Sequence, residues 1–429
     1  MNQVMDFSSS DITDNKANLL SGFPSSGQLA AVLAGRVFPA YREVNGHIHT
    51  PYSFSAFKSL DEVFSMARNE NIKALGINDF YVTDGYDEFY NGCIKNGIFP
   101  LFNIEFIGLM KEKQENGIRI NDQNNPGRIY FCGKGLDYPF HLEPRLMEEL
   151  SEVKRKTQEQ IKEMIDKLNL IIGRYHPSLK LDFDEVKKRF ARELVRERHL
   201  AKAIRVLAEE NFPKPEDRIE FIGKLYGGKK SACDMNNPAA LENEIRSNLL
   251  KAGGPAFVEE DESSFLDPVK IIRIIEDAGG IPCYPVLLDD SSGNFTEFEK
   301  DPEKLHDSLL ALGTNLIELI PGRNNHDILK NFVEFFYDKG FVITFGTEHN
   351  TPEQAPLSVR ARGNFELHPL LKEISWKGAC VIAAHQYRRA RGEKGFLSGK
   401  KTDIDQRSEF EETGRNVIEY YLKHSGYEN

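Results

Sequence analysis

Two histidines stand two residues apart in Val44-Asn45-Gly46-His47-Ile48-His49-Thr50, a segment with the residue types of a strand. Successive side chains of an extended strand alternate faces, so both imidazoles project into one space. At that separation they can share a metal ion. Taken alone, the pair fits an exposed strand as well. Three further segments shift the balance: Ile77-Asn78-Asp79, Asn103-Ile104-Glu105 and Gly346-Thr347-Glu348-His349. Each closes a short apolar run, and together with His47-x-His49 they offer three imidazoles and three carboxylates. Singly, Glu105 reads as a helix cap or surface carboxylate and His349 as a hydrogen-bonded loop histidine. As a set at strand ends they suit one of Zn, Mn or Fe, which take mixed nitrogen and oxygen ligands.

For these residues to meet, the strands that carry them must lie side by side. Strands are expected over 44–49, 73–79, 99–107, 128–133, 281–286, 315–320 and 341–347, with amphipathic helices such as Leu60–Ala67 between several of them. Strands alternating with helices predict an α/β fold with a parallel sheet, open or closed into a barrel. Such folds build their sites at the C-terminal ends of the strands. The rhythm breaks between about 141 and 255, where the chain is highly charged, helical in pattern and without a strand. An all-helical insertion projecting over the site as an arm is the expected form. The division that follows is an N-terminal appendage (1–40), a barrel (41–140 and 256–380), the helical insertion (141–255) and a C-terminal extension (381–429), whose helix over 406–423 packs back on the barrel.

Composition narrows the partners. With 40% hydrophobic and 28% charged residues the chain is ordinary for a soluble protein, and no apolar run reaches the roughly 18 residues of a membrane span. The first residues lack the basic-then-apolar pattern of a secretory signal. Five scattered cysteines without CxxC spacing disfavour a disulfide framework, and the cytoplasm is the simplest address. A formal charge of −11 argues against a broad grip on nucleic acid, yet it leaves room for a small anionic molecule in a local basic pocket. Lys187, Lys188, Arg189, Arg192, Arg196 and Arg198 form one local basic stretch, which by default is a solvated helix face. The oligomeric state is left open.

In order and spacing, the four segments resemble the PHP (polymerase and histidinol phosphatase) superfamily of metal-dependent phosphoesterases. Its opening signature HxHTxxSDG is similar to His47-Ile48-His49-Thr50-Pro51-Tyr52-Ser53-Phe54, its ITDH motif to Ile77-Asn78-Asp79-Phe80 and its GIE motif to Asn103-Ile104-Glu105. GGxxxxAHP resembles Gly279-Gly280-Ile281-Pro282-Cys283-Tyr284-Pro285, and GSDxH resembles Gly346-Thr347-Glu348-His349. Inside the insertion, Arg198-His199-Leu200-Ala201-Lys202-Ala203-Ile204 resembles the RPHIAxxL segment of a branch that acts on nucleoside 3',5'-bisphosphates and RNA 5' ends, and Pro255-Ala256-Phe257-Val258 resembles its PxYV segment. The resemblance runs over residues 44–350 and implies a distorted seven-stranded (βα) barrel, TIM-like, with the site at the strand C-termini.

The departures sort by metal. The family holds a three-ion cluster. Here Phe54 and Phe80 stand where it has a carboxylate and a histidine, Tyr130 and Tyr284 stand where it has histidines, and Glu348 replaces an aspartate. The resemblance assigns His47, His49, Glu105 and Glu348 to the first ion, and all four can ligate. The second keeps only the bridging Glu105 and the third only His349. One divalent ion is therefore expected.

A lone ion with an open position can activate water or polarise a carbonyl or phosphoryl oxygen. Asp79 or His349 then becomes the expected general base. His199, like His176, is an arm histidine able to donate a proton or reach the metal if the arm folds over the mouth. Arg198 or Arg196 is expected to bind a phosphate or carboxylate, and Arg323 and Asn324 to contact the substrate, with Tyr130 and Tyr284 completing the substrate wall, and Lys134 and Arg128 as further contacts. Glu197 occupies the position of the family's arginine two residues before the histidine, so that role does not carry over. The leading expectation is a hydrolase of a small anionic ester such as a phosphoester. The alternatives are the same barrel turned to non-phosphoester chemistry on an organic or sugar-derived substrate, and a non-catalytic binding protein descended from an enzyme.

Overall fold

The structure is a computed structural model that describes residues 18–54, 56–351, 353, 355–399 and 401–425. The first part of the expected N-terminal appendage, residues 1–17, lies outside the described residues. Seven strands form one sheet in sequence order: β1 Val44–Ile48, β2 Ala74–Phe80, β3 Phe99–Leu109, β4 Arg128–Lys134, β5 Ile281–Val286, β6 Leu316–Leu319 and β7 Val342–Phe345. The helices are α1 Ser26–Leu33, α2 Leu60–Asn69, α3 Tyr86–Asn96, α4 Lys111–Glu115, α5 Pro144–Gly173, α6 Phe183–Phe190, α7 Glu197–Asn211, α8 Pro215–Leu225, α9 Pro238–Ile245, α10 Pro268–Asp277, α11 Pro302–Leu312, α12 His326–Asp338, α13 Pro369–Ala390 and α14 Ile404–His424.

The outer helices form for reasons visible in their spacing. In α2, Leu60, Val63, Phe64 and Ala67 recur at intervals of three and four and are buried, Ser59 caps the first turn by accepting the amide of Glu62, and Arg68 sits in the last turn. Burying a side chain of this size contributes about 1.5–3 kcal/mol. In α12 the buried stripe is Leu329, Phe332, Val333 and Phe336, behind an Asn325 cap. These faces pack on the outward side chains of the strands, among them Leu75, Ile77, Ile317 and Ile343.

The sheet curls until its edges almost meet. Residues just past β7 close the gap: the amide of His49 donates to the Glu348 carbonyl (2.9 Å) and the amide of Glu348 to the His47 carbonyl (2.9 Å). Gly346 permits this approach, since a Cβ there would lie 2.2 Å from that of His47. The result is a seven-stranded, mostly parallel sheet nearly closed into a barrel and surrounded by helices. One expectation needs correcting. β4 runs antiparallel to both β3 and β5. The link from β3 to β4 holds only α4, five residues with no buried side chain, and so lacks the packed crossover that a parallel neighbour requires.

Two other packing units frame the barrel. At its base, the N-terminal ends of the strands (Val44, Ala74, Phe99, Ile281, Leu316, Val342) pack on α13 and α14. α13 is buried almost all round from Trp376 to Tyr387 and continues through residue 380, where the extension was expected to begin. Over the mouth, α6 to α9 and the second half of α5 enclose their own apolar cluster, including Ile161, Ile165, Leu200, Ile204 and Phe221. α5 is shared: Leu146, Leu150 and Val153 belong to the barrel's core, and Ile161 to Ile172 belong to the arm's. A 30-residue helix is about 45 Å long, so it carries the arm as a rigid boom. Among the described residues no helix is long and apolar enough to cross a membrane.

Candidate metal centre

The barrel interior is layered. At the bottom, Lys134 places its Nζ 2.5 Å from Oε1 of Glu318, 3.3 Å from the Gly46 carbonyl and 3.4 Å from Oδ1 of Asn78. Lys134 is the last residue of β4, and because that strand is reversed it sits beside Ile281, the first residue of β5. Neither Lys134 nor Glu318 reaches solvent. The other Glu318 oxygen lies 2.7 Å from Nδ1 of His47. Burial works against the charge on both partners. Even so, Glu318 raises the Lys134 ammonium above its ordinary value, and Lys134 and His47 hold the Glu318 carboxyl below its own.

One layer up, the chemistry converges. His47 Nε2 and His49 Nε2 each lie 3.5 Å from Oε2 of Glu105, and His49 Nε2 lies 3.8 Å from Oε1 of Glu348. Both ring nitrogens of His49 and the Oε2 of Glu105 are buried without a hydrogen-bond partner, which is costly unless something else satisfies them. Donors about 2.1 Å from a shared tetrahedral cation stand about 3.4 Å apart, close to these separations. The donor set therefore fits a divalent ion. Burial alone would lower the His47 imidazole, but Glu318 and Glu105 raise it to about 9, whereas burial drives His49 down to about 3 and keeps it a neutral donor. Burial raises the Glu105 carboxyl. Glu348 falls well below its ordinary range despite burial, owing first to Arg323, with which it forms an ion pair. Glu348 and His349 both have positive φ (66° and 49°), a strained pair of the kind found at functional sites.

The layer at the mouth is aromatic. Phe54 and Phe80 stack on the His49 ring at 4.3 and 5.1 Å, and the Arg196 guanidinium lies over both phenyl rings. Above them opens a cleft of about 1080 Å³ between barrel and arm. The arm is tied to the rim where the amides of Arg192 and Leu194 donate to the carbonyls of Pro51 and Tyr52.

Of the residues singled out in the sequence, His47, His49 and Glu105 converge, Glu348 approaches His49 at 3.8 Å, and Tyr130, Arg198 and Arg323 line the cleft with His47, Glu105 and Glu348. Several others are turned elsewhere and do not line it. Asp79, raised by burial to about 6, accepts from the Thr50 amide (2.8 Å), the Thr50 hydroxyl (2.5 Å) and the Ser53 hydroxyl. It clamps the loop after β1. His349 contacts the Thr347 hydroxyl (2.7 Å) and the Ala355 carbonyl (2.8 Å). His199 is fully buried and accepts from the Arg196 amide at 2.9 Å, which fixes the first turn of α7. Tyr284 donates to Glu299 at 2.9 Å within the core. His176 packs on Phe212 and Phe221 inside the arm.

Glu318 was missed. Its only signal in the sequence is one acidic residue in an otherwise apolar strand, Leu316-Ile317-Glu318-Leu319. Lys134, read as a substrate contact, is its buried counter-ion. His47, Cys132 and Glu318 form a second group of donor atoms, but that space already holds a cation, the Lys134 ammonium.

The PHP domain family model matches residues 45–236 of this chain. The sequence matches no curated protein. Among solved structures, the fold is shared with a Bifidobacterium adolescentis protein described as "a putative metal-dependent phosphoesterase", at 14% identity and a TM-score of 0.51 over 78% of this chain and 95% of that one. A Chromobacterium violaceum amidohydrolase, solved with bound sulfate and no metal, aligns at 17% identity and a TM-score of 0.47 over 77% of this chain and 95% of that one.

Proposed function

We propose that the protein is a metal-dependent hydrolase that uses one divalent ion, held by His47, His49, Glu105 and Glu348, and acts on a small anionic ester such as a phosphoester. The observation that carries this reading is the convergence of His47 Nε2, His49 Nε2 and Glu105 Oε2 with no hydrogen-bond partner for the last two. A divalent ion there supplies charge that polarises a substrate oxygen and acidifies water.

The chain's own groups support one ion and not three. With His47 as a neutral ligand, Glu105, Glu318 and Glu348 face Lys134 and Arg323 and leave one net negative charge, which matches one divalent ion better than three. Phe54 and Phe80 fill the space beside His49 with rings that have no lone pair to give. Glu318 holds His47 through Nδ1 and so turns Nε2 toward Glu105. Arg323 fixes the Glu348 carboxylate, and Arg198 faces the cleft with its guanidinium 3.3 and 3.4 Å from the amide oxygens of Asn243 and Asn350. The aromatic wall of Phe54, Phe80 and Tyr130 also suits an organic group on the substrate, which favours non-phosphoester chemistry as the second reading.

Elemental analysis of untagged protein tests the ion count. One equivalent of Zn, Mn or Fe is expected, lost in His49→Ala, whereas about three equivalents would overturn the proposal. A panel of phosphoesters and carboxylic esters then separates the two readings.

A further inference from the structure

The geometry points to Arg196 as the residue that captures an oxyanion of the substrate. The inference rests on the cleft being the substrate site but not on the metal. Three other arginines lining this cleft are paired with carboxylates, and the guanidinium of Arg198 has the amide oxygens of Asn243 and Asn350 at 3.3 and 3.4 Å. Arg128 lies 2.5 Å from Glu260, Arg246 is paired with Glu197, and Arg323 with Glu348. Arg196 differs. Among the described residues its guanidinium meets no carboxylate, and its neighbours are the rings of Phe80 at 4.1 Å and Phe54 at 5.0 Å. A phenyl face attracts the cation but accepts none of the five N–H donors in the guanidinium plane. Those donors stay open to the cleft that Arg196 lines.

The side chain is also held in place before any ligand arrives. His199 Nδ1 accepts the Arg196 amide at 2.9 Å. The preceding Val195 is gripped on both sides by Gln158, whose Nε2 donates to the Val195 carbonyl (2.9 Å) and whose Oε1 accepts the Val195 amide (3.0 Å). Phe54 and Phe80 are themselves stacked on His49. A fixed fork of donors beside His49 and Glu105 is matched to a phosphate or carboxylate, which takes two parallel N–H bonds from such a group. Stacked on rings, the guanidinium loses little freedom on binding, and a planar fork distinguishes an oxyanion from a neutral ester. This gives His199 a task as well: it positions Arg196 without touching the substrate.

The test is calorimetric titration of the full-length protein with inorganic phosphate and with acetate, both as purified and after dialysis against a chelator. Wild type is expected to bind one of the two anions in both preparations. Arg196→Met should weaken that binding by about tenfold or more, and Arg196→Lys, which keeps the charge but loses the fork, should fall between them. Arg189→Met, on the arm surface, should bind as wild type. Arg196→Met or a folded Arg196→Lys that binds like wild type, or a wild type that binds neither anion, would overturn the inference. Loss of anion binding in Arg196→Met from a protein that carries no metal would leave this inference standing and remove the metal reading alone.

Discussion

The Lys134 ammonium and the Glu318 carboxylate form an ion pair of 2.5 Å inside the barrel, with both side chains at zero exposure. Removing one partner of such a pair leaves an uncompensated buried charge, at a cost of about 3–5 kcal/mol, whereas replacing both with apolar residues is often close to neutral. Lys134→Met should therefore lower unfolding free energy in urea by about that amount, and Lys134→Met with Glu318→Leu should recover most of it. A single variant as stable as wild type would show that His47 alone compensates Glu318.

The same carboxylate reaches toward the candidate ion through His47. If its role is to fix the imidazole, then removing its charge should weaken the metal even when the fold survives. The double variant Lys134→Met/Glu318→Gln removes both buried charges together, which avoids an orphaned cation. Competition with a chromogenic chelator should show affinity for zinc falling by about 10- to 100-fold. Unchanged affinity would reduce Glu318 to a purely structural group.

The metal-binding candidates were legible in the sequence and their supports were not, for a physical reason. His47-x-His49 advertises itself because strand periodicity puts both rings on one face whatever the register. Glu348 stands just past β7, where an apolar run ends, whereas Glu105 lies inside β3 and was marked by the resemblance of Asn103-Ile104-Glu105 to a family motif. Glu318 lies within a strand, and only the barrel's closure decides whether it points to core or solvent. Lys134 depends on the reversal of β4, which follows from a connection without a packed crossover helix and not from the strand's own residues. Asp79, His349 and His199 carry the right chemistry near the right place, yet a tight strand-to-loop junction also needs acceptors and donors for its own backbone and hydroxyl groups. That need claimed Asp79 and His349, and the first turn of α7 claimed His199 in the same way. The helical arm was legible because a long charged, strandless stretch cannot join a sheet.

Asp79 provides a direct contrast between the two roles. As a general base, it would contribute about 10²- to 10⁴-fold to the rate. As the clamp seen here, it contributes stability through the Thr50 and Ser53 bonds. Asp79→Asn should lower stability by about 1–3 kcal/mol, since at least one buried partner loses its acceptor. The turnover number on any substrate found should stay within a few-fold of wild type. A hundredfold loss of turnover in a variant with unchanged melting behaviour would restore the catalytic role.

His385, on α13 at the barrel's base, makes stability depend on pH in a definite direction. Its Nε2 donates to the Gly279 carbonyl at 2.6 Å while Nδ1 accepts the Phe396 amide at 2.9 Å, a combination open only to the neutral ring. Burial, the largest influence, brings the imidazole down from 6.5 to about 4. Above pH 6.5 neither the folded nor the unfolded chain protonates this residue, and its contribution is complete. Between 6.5 and 4 the unfolded chain takes up a proton that the folded chain refuses, so stability falls by about 1.4 kcal/mol per pH unit. His199 and His49, each lowered to about 3 by burial, add slopes of the same sign, which is why wild type alone cannot isolate the effect. His385→Gln removes one titration and leaves the others. The stability gap between wild type and this variant should therefore narrow by about 2 kcal/mol between pH 7 and pH 5. A gap that stays constant over that range in urea unfolding would mean that His385 is protonated within the fold and that its two hydrogen bonds do not both persist.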